Sequence, residues 1–219
     1  MADEPGSVRR RLAGEDAVFL GARALLLPGR QALLIADLHL GKADIFRRAG
    51  IALPVGGTAA DLQRLQALVQ RTGCRQLWIL GDLLHGPVHR AAWLAHWLAW
   101  RERQPSLQVH VVRGNHDRAL DGALLRVDVH DADVVLGGFV LRHEPGSAEA
   151  DGHVIAGHLH PQVSLPGVAR RMPAFWLRAG TTVLPAFSRF TAGVVPVLAA
   201  GERMVACLDD QALLLPAKT

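Results

Sequence analysis

The stretch Leu107-Gln108-Val109-His110-Val111-Val112-Arg113-Gly114-Asn115-His116-Asp117 decides how the rest of the chain is read. Its apolar first half reads as a buried strand, and an amide, an imidazole and a carboxylate stand directly after it. Asn115 can give an oxygen to a divalent metal. His116 can pass a proton to a leaving group, and Asp117 can hold that imidazole in one tautomer. Such a triplet gains meaning only if other strands deliver matching side chains to the same place.

Upstream, Gln76 to Leu80 is a second buried strand, and it ends in Gly81-Asp82-Leu83-Leu84-His85. The glycine lets the backbone turn so that Asp82 sits at the strand's carboxyl end, where ligands gather in open α/β sheets. His85 either faces the same place or rides a surface loop. Further upstream, Ala17 to Leu27 and Gln31 to Ala36 read as a hairpin joined by Pro28-Gly29-Arg30, and its second strand delivers Asp37-Leu38-His39. On an extended segment, residues two apart point the same way, so this carboxylate and imidazole can grip one metal ion. Gly41 opens the following turn with Lys42 beside it.

The connecting stretches read as helices. Ala43 to Gly50 is short, and Thr58 to Arg71 carries Leu62, Leu65, Leu68 and Val69 at helical spacing, with Thr58 as N-cap and Gly73 as stop. His89 to Arg103 puts Trp93, Trp97 and Trp100 on one stripe. That stripe reads as a face packed on a sheet, in preference to a membrane-resting surface or a platform for bases. Strand and helix alternate, which argues α/β.

Downstream come short strands at Val134–Val135, Phe139–Arg142, His153–Ala156, Phe175–Leu177, Thr182–Pro185, Val194–Ala199 and Met204–Leu208, separated by Gly and Pro turns. They predict a second, largely antiparallel sheet. Two of them end in histidines: His143, and the pair His158 and His160, again spaced by two. Asp37, His39, Asp82, Asn115, His143, His158 and His160 thus form a nitrogen and oxygen donor set in which each member follows a strand. The set exceeds what one ion needs. With a bridging carboxylate it suits two ions roughly 3.5–4 Å apart, as in phosphate-cleaving centres that use a metal-bridged hydroxide against phosphorus. The donor types fit a borderline metal such as Mn, Fe, Co, Ni or Zn. Lys42, His85, Arg113, Arg118 and Arg142, close to these motifs, are assigned to substrate phosphates.

A chain of 219 residues, 50% of them apolar, predicts one domain with a sizeable core, spanning residues 15–219. The first 14 residues, charged and aperiodic with Arg9, Arg10 and Arg11 in a row, read as a loose tail. The net charge of +4 rests almost wholly on arginine, since lysine occurs only at Lys42 and Lys218. Arginine favours bidentate contact with phosphate, but the same usage arises wherever any solvated cation would serve, so charge alone decides nothing. Cys74 and Cys207 read as packing residues. The start shows no charged and apolar export signal, and no apolar run approaches the roughly 18 residues of a membrane span. A reduced cytoplasmic protein is the expectation.

Taken in order from Asp37 to His160, the motifs D-x-H, G-D, G-N-H-D, H and G-H-x-H resemble those of the calcineurin-like binuclear metallophosphoesterases. The resemblance implies an α/β (α+β) four-layer sandwich of two mixed sheets flanked by helices. It implies a first metal held by Asp37, His39 and His160, a second by Asn115, His143 and His158, and Asp82 bridging them. His116 matches the catalytic histidine and Asp117 its partner. The flanking residues Asp37 to Lys42, Gly114 to Arg118, Phe175-Trp176, Leu184-Pro185-Ala186-Phe187 and Phe190-Thr191 are similar to one subfamily, the bacterial ligase-associated DNA damage response endonucleases. That likeness runs from Ala17 to about Gly193.

What the subfamily implies is manganese-dependent cleavage of DNA in repair, alongside ligase and helicase enzymes. Single strands are the expected preference, because a flexible strand can bend one phosphate into a recessed centre while a duplex holds its phosphates on a stiff rod. One departure is His85, which stands where some relatives carry a second acid. Two rival readings remain. A small-molecule or lipid pyrophosphate hydrolase of the same superfamily would use the tryptophan helix as a membrane lid, but such lipid enzymes usually place Arg where His116 stands. A non-catalytic scaffold would be expected to have lost ligands, and none is missing.

Overall fold

Alternation along three neighbouring strands explains how the layers stack. Leu33, Ile35, Leu77, Ile79, Val109 and Val111 join one buried cluster, whereas Leu34, Ala36, Trp78, Leu80 and Val112 join another. Successive side chains of a strand point to opposite faces, so a sheet covered on both sides needs such continuous apolar runs. The structure, a computed structural model, describes residues 6–48, 50–51, 56–86, 92–146, 151–189 and 191–217.

The first half supplies β1 (Val8–Leu12), β2 (Glu15–Leu20), β3 (Ala24–Leu27), β4 (Ala32–Ile35), α1 (Lys42–Arg48), α2 (Gly57–Thr72), β5 (Gln76–Leu80), α3 (Ala92–Glu102), β6 (Gln108–Val112), α4 (Gly122–Leu125) and β7 (Asp128–His130). Its strands form one sheet in chain order, antiparallel from β1 to β4 and parallel from β4 to β7. The second half supplies β8 (Val134–Leu136), β9 (Phe139–Leu141), β10 (His153–Ala156), β11 (Gln162–Val163), β12 (Met172–Arg178), β13 (Thr181–Val183), β14 (Arg203–Leu208) and β15 (Gln211–Leu214). These form a second sheet in the order β15-β14-β12-β13-β10-β9-β8, with β11 on β12. It is mixed, because β10 pairs in parallel with both β9 and β13.

Phe139, Leu141, Ile155, Phe175, Leu184 and Val205 of the second sheet pack with Leu34, Trp78 and Val112 of the first. On the first sheet's other face lie Leu62, Leu65 and Leu68 of α2 and Trp93, Trp97 and Trp100 of α3. The three indoles are all buried, and Trp97 Nε1 donates to Leu125 O at 2.9 Å. The tryptophan stripe is therefore a core face, as expected, and offers no membrane lid. On the outer face of the second sheet Val140, Val154 and Ala156 form a small cluster. Two mixed sheets flanked by helices, the expected α/β architecture, are what the chain forms.

Several expectations need correction. Residues 8–12 are a strand of the first sheet and not a loose tail: Val8 and Leu12 pack inward and the arginines between them line the edge. The run read as one strand from Ala17 to Leu27 is two, turned at Gly21–Arg23, where Arg23 takes φ +67. Gly56, left-handed and without a side-chain cap bond, stands at the N-cap of α2 in place of Thr58, whereas Gly73 ends the helix as expected by donating to Val69 O at 3.0 Å. Val194–Ala199 is not a strand: Val194, Val195 and Val197 are exposed, and Pro196 removes a ladder donor. β7, β11 and β15 were not anticipated. The stretches at residues 1–5, 87–91 and 190, on which parts of the tail, the third helix and the Phe190 motif fall, lie outside the described residues.

Candidate metal centre

At the carboxyl ends of β4 and β5 the chain leaves the sheet through two loops zipped together by backbone bonds. Asp37 N donates to Gly81 O at 3.1 Å, His39 N to Asp82 O at 2.9 Å and Leu40 N to Leu83 O at 2.8 Å. The segment carrying Asp37 and His39 is not extended. Asp37, His39, Asp82, His158 and His160 hold φ of +55, +50, +50, +68 and +48, half of the ten described non-glycine residues with positive φ. L-residues adopt that region at a cost of order 1–3 kcal/mol each, and its concentration here marks a site where geometry outranks local preference.

The glycines beside the ligands answer a spatial need. A Cβ on Gly81 would run into the His143 imidazole, and one on Gly114 would run into the backbone and carboxylate of Asp82. Their absence allows Asp82 and His143 to close on each other, with His143 Nε2 at 3.6 Å from Asp82 Oδ1.

All seven expected donors come together. Asn115 Oδ1 lies 2.9 Å from His143 Nε2 and 3.2 Å from His158 Nδ1, and those two nitrogens are 3.1 Å apart. Neighbouring ligands on one ion bound at about 2.1 Å are spaced by roughly 3 Å, so this triangle has the dimensions of a coordination face. His143 Nδ1 is 3.0 Å from Leu80 O, a partner that fixes the tautomer leaving Nε2 free. A second group joins Asp37, His39 and His160, and a third joins Asp37, Asp82 and His143, each with donor atoms within 4.8 Å of one another. The carboxylate common to those two groups is Asp37.

A cation fits these residues. Asp37 Oδ1, both ring nitrogens of His39 and His160 Nε2 are buried without a hydrogen-bond partner. Polar atoms are rarely orphaned in a protein interior, and four converging ones call for a partner of opposite character. Asp37 Oδ1 stands 3.2 Å from His160 Nε2, and Asp37 Oδ2 accepts from His158 N at 3.0 Å. Burial pushes His39 down to about 2, which keeps it neutral and ready to ligate. For His160 burial opposes the charged form, but the Asp37 carboxylate outweighs it and the pKa is raised.

The residues expected to serve catalysis and substrate binding fare unequally. His116 is exposed at the rim, its N–H donates to Asp82 Oδ1 at 2.9 Å, and its ring faces His39 and His85 at centroid distances of 5.7 and 4.9 Å. His85 is thus at the site and not on a remote loop, and burial first, then the charges of Lys42 and His116, lower it to about 4. Asp117 does not hold the His116 ring. Its two oxygens accept backbone N–H bonds from Leu84 and Gly114, both at 2.9 Å, so it ties two site loops together. Burial raises its pKa despite those bonds.

Lys42 reaches Thr191 Oγ1 at 3.2 Å. Burial lowers its pKa, against the pull of Asp37 and Asp82. Arg113 and Arg142 line a hollow of about 450 Å³ beside Asn115, but each is committed to an acid, Asp131 and Asp133, at 2.5 Å. Arg118 is exposed. In the sequence Thr191 figures only as part of a resembling stretch, and Ala192, whose carbonyl meets His160 Nδ1 at 3.0 Å, is not singled out, because only a long-range contact brings them here.

The calcineurin-like phosphoesterase family model matches residues 31–164. Among solved structures the chain is similar to a Pseudomonas putida nuclease, MPE, with 38% identity, a TM-score of 0.83 and coverage of 95% of this chain and 100% of that one. The Escherichia coli phosphoesterase Yfce is similar at 18% identity and a TM-score of 0.47, over 83% of this chain and 96% of that one. No protein with a curated description matches. A family match across all five motifs, and a relative aligned over nearly the whole chain, establish that this chain belongs to the calcineurin-like phosphoesterases and is a metallophosphoesterase hydrolase.

Proposed function

We propose that the protein is a manganese-dependent DNA endonuclease that prefers single strands and reads backbone, not sequence. The observation that carries this reading is the convergence of the Asn115, His143 and His158 donor atoms within 3.2 Å, beside the orphaned donors of Asp37, His39 and His160. Nuclease action is further supported by the likeness to the Pseudomonas putida enzyme. Manganese and a setting in cytoplasmic DNA repair, beside ligase and helicase enzymes, draw their support from the resemblance to the ligase-associated endonucleases. No helix among the described residues is long and apolar enough to cross a membrane.

Two divalent ions, when bound, supply Lewis-acid polarisation of phosphoryl oxygens and acidify water. The chain's own residues do the rest. Asp37 and Asp82, both buried, hold negative charge at the floor, while exposed Asn115 and His116 stand at the rim where a phosphodiester enters. His116, its backbone pinned to Asp82, is placed to give a proton to the leaving oxygen. Lys42, oriented by Thr191, draws a phosphate toward the floor.

A strand must present one phosphate to buried donors past a rim, which a flexible single strand does more readily than a duplex. Circular single-stranded DNA should therefore be nicked by enzyme and manganese faster than relaxed duplex DNA at equal concentration, and binding should weaken steeply with salt. If neither DNA is nicked while a nucleotide pyrophosphate turns over efficiently, the nuclease reading fails.

A further inference from the structure

Outside the metal centre, four guanidiniums from distant parts of the chain meet at one cavity. Arg23 from the β2–β3 turn, Arg64 from α2, Arg170 and Arg189 line a space of about 300 Å³, with the buried Met172 and Cys207 in its wall. None of the metal-centre donors lines it. Arg23 Nη1 donates to the carbonyls of Ala186, Phe187 and Ser188 at 3.4, 3.5 and 2.9 Å. Arg64 Nη2 donates to Phe187 O and to Asp61 Oδ1, and its guanidinium lies 4.0 Å above the Phe187 ring. Arg64 Nε, by contrast, is buried with no partner.

Four guanidiniums here face three carboxylates, and only one of the three is buried. Asp61 is the buried acid, 3.1 Å from Arg64, whereas Asp209 and Asp210 line the cavity mouth, with Asp209 90% exposed and meeting the exposed Arg170 only at 3.8 Å. Burial pushes Arg64 down to about 10 and lowers Arg23 too, and both are also lowered by neighbouring arginines. Two desolvated cations, Arg23 and Arg64, with one buried carboxylate between them are costly unless a further anion shares the space.

We propose that this cavity is a second anion site that takes a phosphate group. With Arg23 Nη1 and Arg64 Nη2 already engaged, the unpartnered Arg64 Nε and the Arg170 and Arg189 side chains at the mouth are left to bind, and a phosphate, with three or four oxygens and more negative charge, answers them better than a carboxylate. The phosphate belongs either to a strand that also engages the metal centre or to a small free anion. A shared strand is sterically reasonable: Arg189 is two residues from Thr191, which contacts Lys42, and Ser188 N donates to Asp37 O at 3.2 Å. Residues 186–189 therefore adjoin both the cavity, through Arg189 and the carbonyls that Arg23 holds, and the metal centre, through Ser188. The site itself does not depend on the nuclease reading.

The test uses the full chain with its metal removed by chelator, so that metal-bound phosphate does not confuse the result. Inorganic phosphate and pyrophosphate are titrated while the arginine Nε–H resonances are followed by NMR. A few of those resonances should move saturably in the wild-type protein. Arg170→Ala with Arg189→Ala, which removes two rim side chains, should weaken the affinity by about tenfold or more. Turnover of a bis-aryl phosphodiester by the metal-loaded variant checks that it is folded. Short single-stranded DNA that competes with pyrophosphate, and loses affinity in the variant, assigns the site to a strand phosphate; absence of competition assigns it to a free anion. Failure of any arginine resonance to saturate in the wild type, or equal affinity in wild type and variant, overturns the proposal.

Discussion

His116 and Asp117 are neighbours in sequence that the fold sends to different surroundings. The His116 ring lies at the exposed rim, while both Asp117 oxygens are spent on the N–H groups of Leu84 and Gly114. Replacing His116 by Ala should leave metal content nearly intact and slow cleavage by roughly two to four powers of ten, with partial recovery on an aryl leaving group that barely needs a proton. Asp117→Ala should behave differently. It leaves two buried N–H donors unsatisfied, at about 1–3 kcal/mol each, so its main effect should be a lowered denaturation midpoint and loosened site loops. Kinetics with aryl and alkyl leaving groups, run beside urea unfolding, separate the two. An Asp117→Ala enzyme of normal stability with the leaving-group profile of His116→Ala would restore the view that Asp117 serves the imidazole. From sequence the pair looked like an acid orienting a base, because adjacency says nothing about which way a buried carboxylate turns.

At the scale of elements, what was legible follows the pattern of buried strands. β4, β5, β6 and β10 were visible because each is a short apolar run closed by Gly, Asp, Asn or His, and those runs are also what bring the donor residues together. β1 was hidden by three arginines between Val8 and Leu12, an edge-strand habit that guards against unwanted pairing and also masks the alternation. The spacing of two in Asp37 and His39, and again in His158 and His160, suggested an extended segment, whereas a left-handed backbone that left no mark in the residue types brings these side chains into the donor cluster.

The turn after β5 gives a direct test of that geometry. Gly81 has φ +78 and an added methyl would meet the His143 ring, so Gly81→Ala should push His143 off its place beside Asn115 and Asp82. The expected outcome is loss of about half the bound metal, from two ions toward one, with the chain still folded. Metal analysis after dialysis, together with circular dichroism, reads this out. Unchanged stoichiometry would show that the imidazole has room to yield.

For the whole molecule, the centre is where the two sheets meet. Asp37, His39, Asp82 and Asn115 follow strands of the first sheet, and His143, His158 and His160 follow strands of the second. An ion held by both sets clips one sheet to the other and gives Asp37 Oδ1, His39 and His160 the partner that burial denies them. Anything that binds the folded state alone stabilises it by mass action, about 2.7 kcal/mol at a hundredfold excess over Kd. For a chain of this size that corresponds to a rise in melting temperature of roughly 5–10 °C. Manganese added to chelator-treated protein should therefore raise the melting temperature by that order, increasingly with concentration. The shift should shrink sharply in Asp37→Ala, whose carboxylate is shared by two of the donor groups. Differential scanning calorimetry of both proteins, with and without metal, measures it. If the wild-type protein melts at the same temperature with chelator as with saturating manganese, these donors do not hold a metal that matters to the fold, and the orphaned polar atoms need another explanation.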